Sequence, residues 1–250
     1  MKKPVIVIVG PTASGKTGVA IELADKIEGE IIAADSRTIY KGMDIGTAKP
    51  SRAECKNIIH HGFDLVEPDE RFTVFDWKKF AEQKIKEILE RGRYPIVVGG
   101  TGLYVDALIF DYQFNEVVKK TDADREKMRE GFLVYGISWE DDELRQRIEQ
   151  RERRMFESEE LLKETEKLAL QYDWSLQAMR SNVYQYIWKM LRGEISKEEA
   201  IRLGALDDYH FAKRQKTWFK RNSHIRWCRL DQTEQEILRD LKKVFKLNKI

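Results

Sequence analysis

Short runs of mostly apolar residues, rich in β-branched side chains, recur through the first half of the chain. The first covers residues 5–9, and similar runs follow at 30–34, 94–98 and 133–137. Runs of this kind are typical of strands buried on both faces of a parallel sheet. Residues 225–230 are predicted to form a short final strand.

Helical periodicity separates these runs. Between the second and third runs, apolar residues recur at spacings of three and four and stop near Gly92; they are Trp77, Phe80, Ala81, Ile85, Ile88 and Leu89. Strands that alternate with helices of this length are joined by right-handed crossovers. The pattern therefore predicts an α/β fold, a doubly wound parallel sheet with helices on both faces.

The second half of the chain is more helical and more charged. Apolar positions between residues 141 and 172 fit one or two amphipathic helices, and Ser196-Lys-Glu-Glu199 has the form of a capping box. A last helix is predicted from about residue 205 to 221. We interpret residues 1–250 as a single domain with a helical C-terminal half, in which the polar residues 112–131 form a surface excursion.

Composition narrows the class of protein. The 250 residues are 42% hydrophobic and 35% charged, which is too apolar for a disordered chain. The net charge of +2 excludes a strongly basic protein that binds nucleic acid through its overall charge, although a local basic face can still bind it. Two distant cysteines, Cys55 and Cys228, exclude a disulfide scaffold and a four-thiolate zinc site.

The apolar runs are too short for a membrane span or a secretory leader. The run at 5–9 stops at Gly10-Pro11, whereas a leader contains roughly 7–15 apolar residues. A membrane-spanning helix needs about 20. We therefore expect a cytoplasmic protein without a membrane partner.

A glycine-rich loop directly after the first predicted strand matches the motif G-x-x-x-x-G-K-[ST]. It consists of Gly10, Pro11, Thr12, Ala13, Ser14, Gly15, Lys16 and Thr17. In this motif, backbone N–H groups and the lysine surround phosphate oxygens, and the last hydroxyl holds Mg²⁺. The following helix directs its positive end at the same anion. The sequence thus predicts a phosphate-binding P-loop with Mg²⁺ on Thr17, without saying which reaction it serves.

Two further groups are expected at the same edge of the sheet. Asp35 follows the second strand, and Thr101 lies in a glycine-rich loop after the third. Because the carboxyl ends of the strands line the ligand crevice of a doubly wound sheet, Asp35 should face the phosphate loop. A carboxylate there can hold Mg²⁺ through water or accept a proton. The structural alternatives are an aspartate that only caps a turn and a glycine loop that is only a turn.

Two groups of basic residues have the spacing of anion-binding faces. Arg147 and Arg151 are one helical turn apart and can point at one anion. A stripe that can follow RNA phosphates is formed by Lys213, Arg214, Lys216 and Lys220. The alternative in both cases is an ordinary solvated helix face.

Several segments occur together in one order along the chain. Besides the phosphate loop they are Asp35-Ser36, Tyr40-Lys-Gly-Met-Asp-Ile-Gly-Thr-Ala-Lys-Pro50, His60-His61, Val97-Val-Gly-Gly-Thr-Gly-Leu-Tyr104 and Ala212-Lys-Arg-Gln215. This combination closely resembles the tRNA dimethylallyltransferases (tRNA isopentenyltransferases). The resemblance implies transfer of a dimethylallyl group from dimethylallyl diphosphate to N6 of the adenosine next to the anticodon on its 3′ side. The implied partners are dimethylallyl diphosphate and the tRNA anticodon stem-loop, the implied cofactor is Mg²⁺, and we expect a monomer.

The resemblance also implies roles for individual residues. Asp35 matches the family's proposed base, Thr101 matches a threonine near the reacting centre, and Lys16 would neutralise the leaving diphosphate. Arg147 and Arg151 match an arginine pair that covers the diphosphate. Contacts with tRNA are implied for Asp35, Ser36, Arg37, Thr38, Arg180 and Tyr184.

The chain departs from the family pattern on the RNA side. Only residues 112–131 stand where the family usually carries a helical insertion that grips the anticodon stem. Val183 and Gln185 stand in place of a glycine and a basic residue, and Asp208-Tyr209 stands in place of a Thr-Arg pair. We interpret the chain as a short form with a reduced insertion domain.

Other activities remain open on the sequence alone. An adenylate isopentenyltransferase, which prenylates free AMP, ADP or ATP, would need no insertion. A small-metabolite P-loop kinase would use Asp35 as the base for a hydroxyl group and the arginine pair as a lid, but it leaves the segment 40–50 unexplained. An RNA-binding protein without catalytic activity would have little need for the phosphate loop and Asp35 together.

Overall fold

The computed structural model describes residues 3–114, 127–179 and 183–245. The strands in these ranges are β1 Val5–Val9, β2 Gly29–Ala33, β3 His60–His61, β4 Tyr94–Gly99, β5 Phe132–Ser138 and β6 Arg226–Arg229. They form one sheet in the order β3-β2-β4-β1-β5-β6, and every neighbouring pair is parallel. The predicted doubly wound parallel sheet is confirmed.

Helices cover both faces of the sheet and form most of the second half of the chain. In the described ranges they are α1 Lys16–Ile27, α2 Val74–Glu90, α3 Gly102–Ile109, α4 Asp141–Glu157, α5 Glu159–Gln171, α6 Tyr184–Leu191, α7 Lys197–Lys220 and α8 Leu230–Phe245. Helices α2 and α3 pack on one face, and α1 and α8 pack on the other. Among the described residues, no helix has the length and apolar character that crossing a bilayer requires.

The sheet separates two apolar cores, which explains why its central strands are apolar at every position. Val7 and Val97 point toward α2 and pack with Trp77, whereas Ile8 points toward α1 and packs with Ile21. Adjacent side chains of a strand point to opposite faces. The side chains on both faces of β1 are therefore buried, and this strand lacks the alternating apolar and polar pattern of a half-exposed strand.

Helices α4 to α7 enclose a third core beside the sheet, which confirms the helical C-terminal half. Phe156, Leu161 and Tyr184 are buried there together with Met43, which comes from the segment between β2 and β3. Helix α7 begins as predicted after Ser196, whose hydroxyl accepts a hydrogen bond from Glu199 N (3.1 Å).

Some element predictions need correction. The predicted last helix at 205–221 is the C-terminal part of the 24-residue α7, and α8 follows it. The very short β3 and the eight-residue helices α3 and α6 were not predicted. Residues 115–126, which make up most of the predicted excursion at 112–131, lie outside the described ranges.

The carboxyl ends of β1, β2 and β4 meet at one edge of the sheet. The chain continues there into the phosphate loop, Asp35 and the glycine-rich loop before α3, respectively. The ends of β2 and β4 are in direct contact, because Ala34 N donates to Val98 O (2.7 Å). A Cβ at Gly99 would lie 2.0 Å from Ala34 O, so only glycine allows this approach.

Candidate active site

The phosphate loop closes around the N-terminal end of α1. Ala13 (φ 60°) and Gly15 (φ 86°) adopt left-handed backbone conformations, which bring successive N–H groups to one side of the loop. Lys16 is the first residue of α1, and its Nζ donates to Pro11 O (3.1 Å). Residues 10–17 therefore have the form of an anion-binding helix terminus.

Two arginines of α4 reach the phosphate loop. Arg147 Nε donates to Ala13 O (3.0 Å), and its guanidinium lies 4.5 Å from the ring centroid of Trp139. Arg151 Nη1 donates to Thr12 Oγ1 (2.7 Å), and its side chain also lines the crevice in front of the loop. The pair is thus half-buried against the loop and does not form a solvated helix face.

Gln215 of α7 connects two loops of the site. Its Oε1 accepts a hydrogen bond from Thr12 N (2.8 Å), and its Nε2 donates to Gly100 O (2.9 Å). The phosphate loop and the loop after β4 are therefore held at a fixed separation by one buried amide. The site prediction omitted Gln215, although the segment 212–215 was part of the family resemblance.

The segments that carry Asp35 and Thr101 are in contact, as expected for loops that follow the neighbouring strands β2 and β4. Asp35 Oδ1 accepts from Arg37 N (2.8 Å), so this carboxylate does cap the following turn. Thr101 Oγ1 accepts from Ser36 N (2.9 Å) and donates to Ser36 Oγ (3.3 Å). Asp35 also lines the crevice with Lys16. Asp35 therefore caps the turn, as the structural alternative states, and it also lies at the phosphate loop, where the sheet topology predicted it.

These groups border a crevice with a cavity of about 190 Å³. Its polar lining includes Lys16, Thr17, Thr38, Asp35 and Arg151. Its apolar lining consists of Ile31, Ala33, Ala48, Pro50, Phe63 and Val98, together with backbone of the phosphate loop and Gly99. Such a crevice can accept an anionic group and a small hydrocarbon group side by side.

Burial strongly affects the charge of Lys16. Desolvation lowers its pKa to about 8; Asp35 acts against this shift, Arg151 adds to it, and Asp208 also opposes it. The lysine is therefore protonated at neutral pH but close to its titration range. An incoming phosphate anion would favour the protonated form.

Arg151 is shared between the phosphate loop and two buried carboxyl groups. Its Nη2 forms an ion pair with Asp208 and lies 3.6 Å from Glu152 Oε1. Burial and the neighbouring Asp208 raise the pKa of Glu152 to about 8. Asp208, which departs from the family pattern, thus supplies an internal anion for Arg151.

The residues predicted to contact tRNA have different environments. Arg37 lies at the border of the crevice, where its Nη1 reaches Gln177 O (3.5 Å). Lys213, Arg214 and Lys220 are exposed on α7. Lys216 is instead half-buried, because its Nζ binds Asp141 Oδ1 (2.6 Å) and Trp139 O (3.3 Å).

Tyr184 requires a correction, and Arg180 lies outside the described residues. The Tyr184 side chain is fully buried, and its hydroxyl donates to Glu164 Oε1 (2.6 Å). A side chain in this position does not reach a bound RNA. Its structural neighbour is the segment 44–46, on which its ring packs.

The oxygen ligands of the crevice can hold Mg²⁺ only if a substrate supplies further ligands. Within the described ranges, no three His, Cys, Asp or Glu residues are grouped as a metal site. The Thr17 hydroxyl and the Asp35 carboxylate do line the same cavity. These are hard oxygen ligands of the kind that Mg²⁺ prefers, and Mg²⁺ usually completes its shell with water and substrate phosphates.

Comparison with known proteins relates this site to an enzyme family. The chain matches the IPP transferase family over residues 38–132 and 115–222, and the isopentenyl transferase family over residues 3–60. A tRNA dimethylallyltransferase from Acetivibrio thermocellus is 36% identical to it, covering 95% of this chain and 96% of the relative.

Two solved structures resemble the whole fold. The full-length tRNA isopentenylpyrophosphate transferase of Bacillus halodurans has a TM-score of 0.85 at 30% identity and covers 99% of each chain. The tRNA delta(2)-isopentenylpyrophosphate transferase of Staphylococcus epidermidis has a TM-score of 0.82 at 29% identity, covering 98% of this chain and 99% of its own. The similarity in sequence and structure includes the sheet, the phosphate loop and the helical half, and the chain therefore belongs to the tRNA dimethylallyltransferase family.

Proposed function

We propose that this protein is a tRNA prenyltransferase. It transfers a dimethylallyl group from dimethylallyl diphosphate to N6 of an adenosine in tRNA, next to the anticodon on its 3′ side. The observation that carries the proposal is the crevice in which the Asp35 carboxylate shares one cavity with Lys16 and Arg151 at the phosphate loop. The activity named for the relatives supports the same reaction.

The diphosphate is the leaving group of this reaction. The bond between C1 of the donor and its bridging oxygen breaks, and its electron pair stays on the diphosphate. Lys16, Arg151 and the loop N–H groups stabilise that charge because they are fixed before the reaction begins. The allylic C1 tolerates positive charge, so bond breaking can precede bond formation.

The acceptor needs help with its proton. The lone pair of N6 is delocalised into the adenine ring, so the amine is a poor nucleophile. As N6 bonds to C1, Asp35 accepts the proton that N6 loses and later releases it to solvent. Thr101 orients the neighbouring Ser36 through its hydroxyl group and so helps to fix the segment that carries Asp35.

Mg²⁺ would be held by the Thr17 hydroxyl and, through water, by the Asp35 carboxylate. When bound, the ion supplies further neutralisation of the diphosphate charge. Loss of activity in a chelator and recovery with Mg²⁺ would support this assignment. Full activity in the chelator would contradict it.

The basic residues of α7 offer a path for the tRNA. Lys213, Arg214 and Lys220 are exposed on the helix that also carries Gln215 into the site. We assign them to the phosphates of the anticodon stem-loop. The target adenosine would leave its stack to enter the crevice. We further propose that the protein works as a monomer in the cytoplasm.

The decisive experiment offers radiolabelled dimethylallyl diphosphate with unmodified tRNA or with AMP. The proposal expects label in tRNA and none in AMP. Label in AMP alone would assign the protein to the adenylate isopentenyltransferases. Transfer of the terminal phosphate of ATP to a small metabolite, with no prenylation, would instead indicate a kinase.

A further inference from the structure

One carboxylate of the helical half anchors the segment between β2 and β3. Glu164 of α5 accepts hydrogen bonds from the backbone N–H groups of Asp44 (3.0 Å), Ile45 (3.0 and 3.1 Å) and Gly46 (3.0 Å). The hydroxyl of Tyr184 donates to the same carboxylate (2.6 Å). Consecutive N–H groups that point at one anion form a backbone nest, and here a side chain of the protein fills it.

The nest is shaped to fit this anchor. Gly46 packs directly on the Tyr184 ring, and a Cβ at this position would lie 2.3 Å from Tyr184 Cζ. The hydroxyl of the next residue, Thr47, donates a hydrogen bond to Met43 O (2.6 Å). Burial and Glu164 raise the pKa of Tyr184 well above its ordinary value, so its hydroxyl remains a donor throughout the neutral range.

The anchored segment continues into the wall of the crevice. Thr47, Ala48 and Pro50 line the cavity that also holds Lys16 and Asp35. The Lys49 ammonium, which is almost fully buried, binds Tyr40 O (3.2 Å) and Asp64 Oδ1 (2.7 Å) and so closes the segment on itself. A shift at the nest would therefore reach residues that line the same cavity as the phosphate loop.

We propose that Glu164 is a positioning residue, which holds residues 44–46 so that Thr47 and Ala48 form the crevice wall at the correct distance from the phosphate loop. The inference rests on the proposed function, in which dimethylallyl diphosphate enters this crevice.

The test compares Glu164→Ala, Glu164→Gln and Tyr184→Phe with the wild type. Glu166→Gln serves as matched control, because Glu166 is exposed on the same helix. Amide hydrogen exchange reports on residues 40–50, calorimetry gives the affinity for inorganic pyrophosphate, and steady-state kinetics separates KM for dimethylallyl diphosphate from kcat.

We expect faster exchange in residues 40–50 of Glu164→Ala, with the sheet as protected as in the wild type. Pyrophosphate affinity should fall, and KM should rise, by roughly tenfold, which is within the loss of up to about 10²-fold that a 1 Å misplacement can cause. Glu164→Gln and Tyr184→Phe should change the same quantities less, and Glu166→Gln should change none.

Two results would overturn the proposal. Unchanged exchange in residues 40–50 would show that Glu164 does not fix the segment, and faster exchange with unchanged affinity and KM would show that its position does not matter to the site. If Glu164→Ala does not fold, the two milder variants decide by the same criteria. A wild-type protein that binds pyrophosphate but prenylates no tRNA would refute the proposed function alone, since the comparison of pyrophosphate affinities would still stand.

Discussion

Asp35 uses one carboxylate for two purposes. Its Oδ1 accepts from Arg37 N and shapes the turn after β2, while the same group lines the crevice. An asparagine can accept the same backbone hydrogen bond, but it cannot take a proton from N6. The Asp35→Asn substitution therefore separates the structural contact from the proposed proton transfer.

Asp35→Asn is expected to lower kcat for tRNA prenylation by about 10²- to 10⁴-fold, the usual contribution of a general base. The affinity for dimethylallyl diphosphate should change much less than kcat, because Lys16, Arg151 and the phosphate loop remain in place. Single-turnover rates and calorimetry measure the two quantities. Asp69→Asn, at an exposed position, is the control, and an undiminished kcat in Asp35→Asn would remove Asp35 from the proton transfer.

The site should lose affinity for diphosphate at alkaline pH. Lys16 and Glu152 both have a pKa of about 8. As the pH rises through this value, Lys16 loses a positive charge and Glu152 gains a negative charge beside Arg151. Both changes disfavour an anionic ligand.

We therefore expect the Kd of dimethylallyl diphosphate to increase from pH 7 to pH 9, less steeply in Glu152→Gln and in Lys16→Arg than in the wild type. Lys16→Arg keeps its charge because arginine does not titrate in this range. Calorimetry at three pH values would check this. A wild-type Kd that is flat over the range would contradict the assigned charges.

Residues next to strand ends could be predicted from the sequence, and residues that join distant segments could not. The phosphate loop and Asp35 directly follow β1 and β2, so their common location follows from the sheet. Gln215 binds Thr12 across 203 positions, and Glu164 binds Ile45 across 119. No local pattern relates such partners. Tyr184 was misassigned for the same reason, since only the packing of α6 shows that it is buried.

At the scale of elements, length and burial decided which predictions succeeded. The central strands are apolar throughout and were predicted, whereas β3, α3 and α6 are too short for a period to be recognised. The predicted helix start after Ser196 and the predicted last helix from about residue 205 belong to one continuous helix, α7. A Cβ at Gly204 would lie 2.9 Å from Glu152 Oε2, so this glycine permits close packing of α4 and α7 inside a continuous helix.

A buried carboxylate connects the end of α2 to the edge of the sheet. Glu30 of β2 accepts hydrogen bonds from Arg91 Nε (3.0 Å) and Nη2 (2.7 Å), and His61 Nε2 lies 2.7 Å away. Burial acts to raise the pKa of Glu30, but the hydrogen bonds from Arg91 and His61 outweigh burial and hold the pKa below its ordinary value of 4.5. Ionised Glu30 is therefore preferred in the folded state.

Because the folded-state pKa is the lower one, Glu30 contributes stability above about pH 4.5 and loses this contribution as the pH falls. Glu30→Gln is expected to reduce the free energy of unfolding by about 1.5–3 kcal/mol at pH 7, the usual net contribution of hydrogen bonds to a charged group. Urea denaturation at pH 7 and pH 4 would measure it. Glu28→Gln, at an exposed position, is the control, and an equal loss at both pH values would contradict the ionic contribution.

At the scale of the whole molecule, the sheet and the helical half build the site together. The sheet supplies the phosphate loop and Asp35, and the helices supply Arg151 and Gln215. Helix α7 reaches from the crevice to the exposed surface, where its basic residues lie. Binding of a large polyanion should therefore depend on α7 separately from the chemistry.

Replacing Lys213, Arg214 and Lys220 together by alanine should weaken tRNA binding and reduce the dependence of log K on log salt by roughly two to three units, about one for each lost phosphate contact. The kcat at saturating tRNA should be retained. Filter binding at several salt concentrations gives the affinity for tRNA and its dependence on salt. The triple variant of Lys163, Lys167 and Lys189, which are exposed on α5 and α6, is the control, and an equal effect there would indicate unspecific attraction.

The ion pair between Arg151 and Asp208 has a consequence for the turnover of the enzyme. Because Asp208 already binds Nη2 of Arg151, a phosphate oxygen that binds the same nitrogen must displace this carboxylate, and the net attraction is only the difference between two anions. Asp208 can bind Arg151 again once the prenyl group has left the donor. An enzyme that binds the diphosphate product less tightly releases it sooner and is then available for the next tRNA.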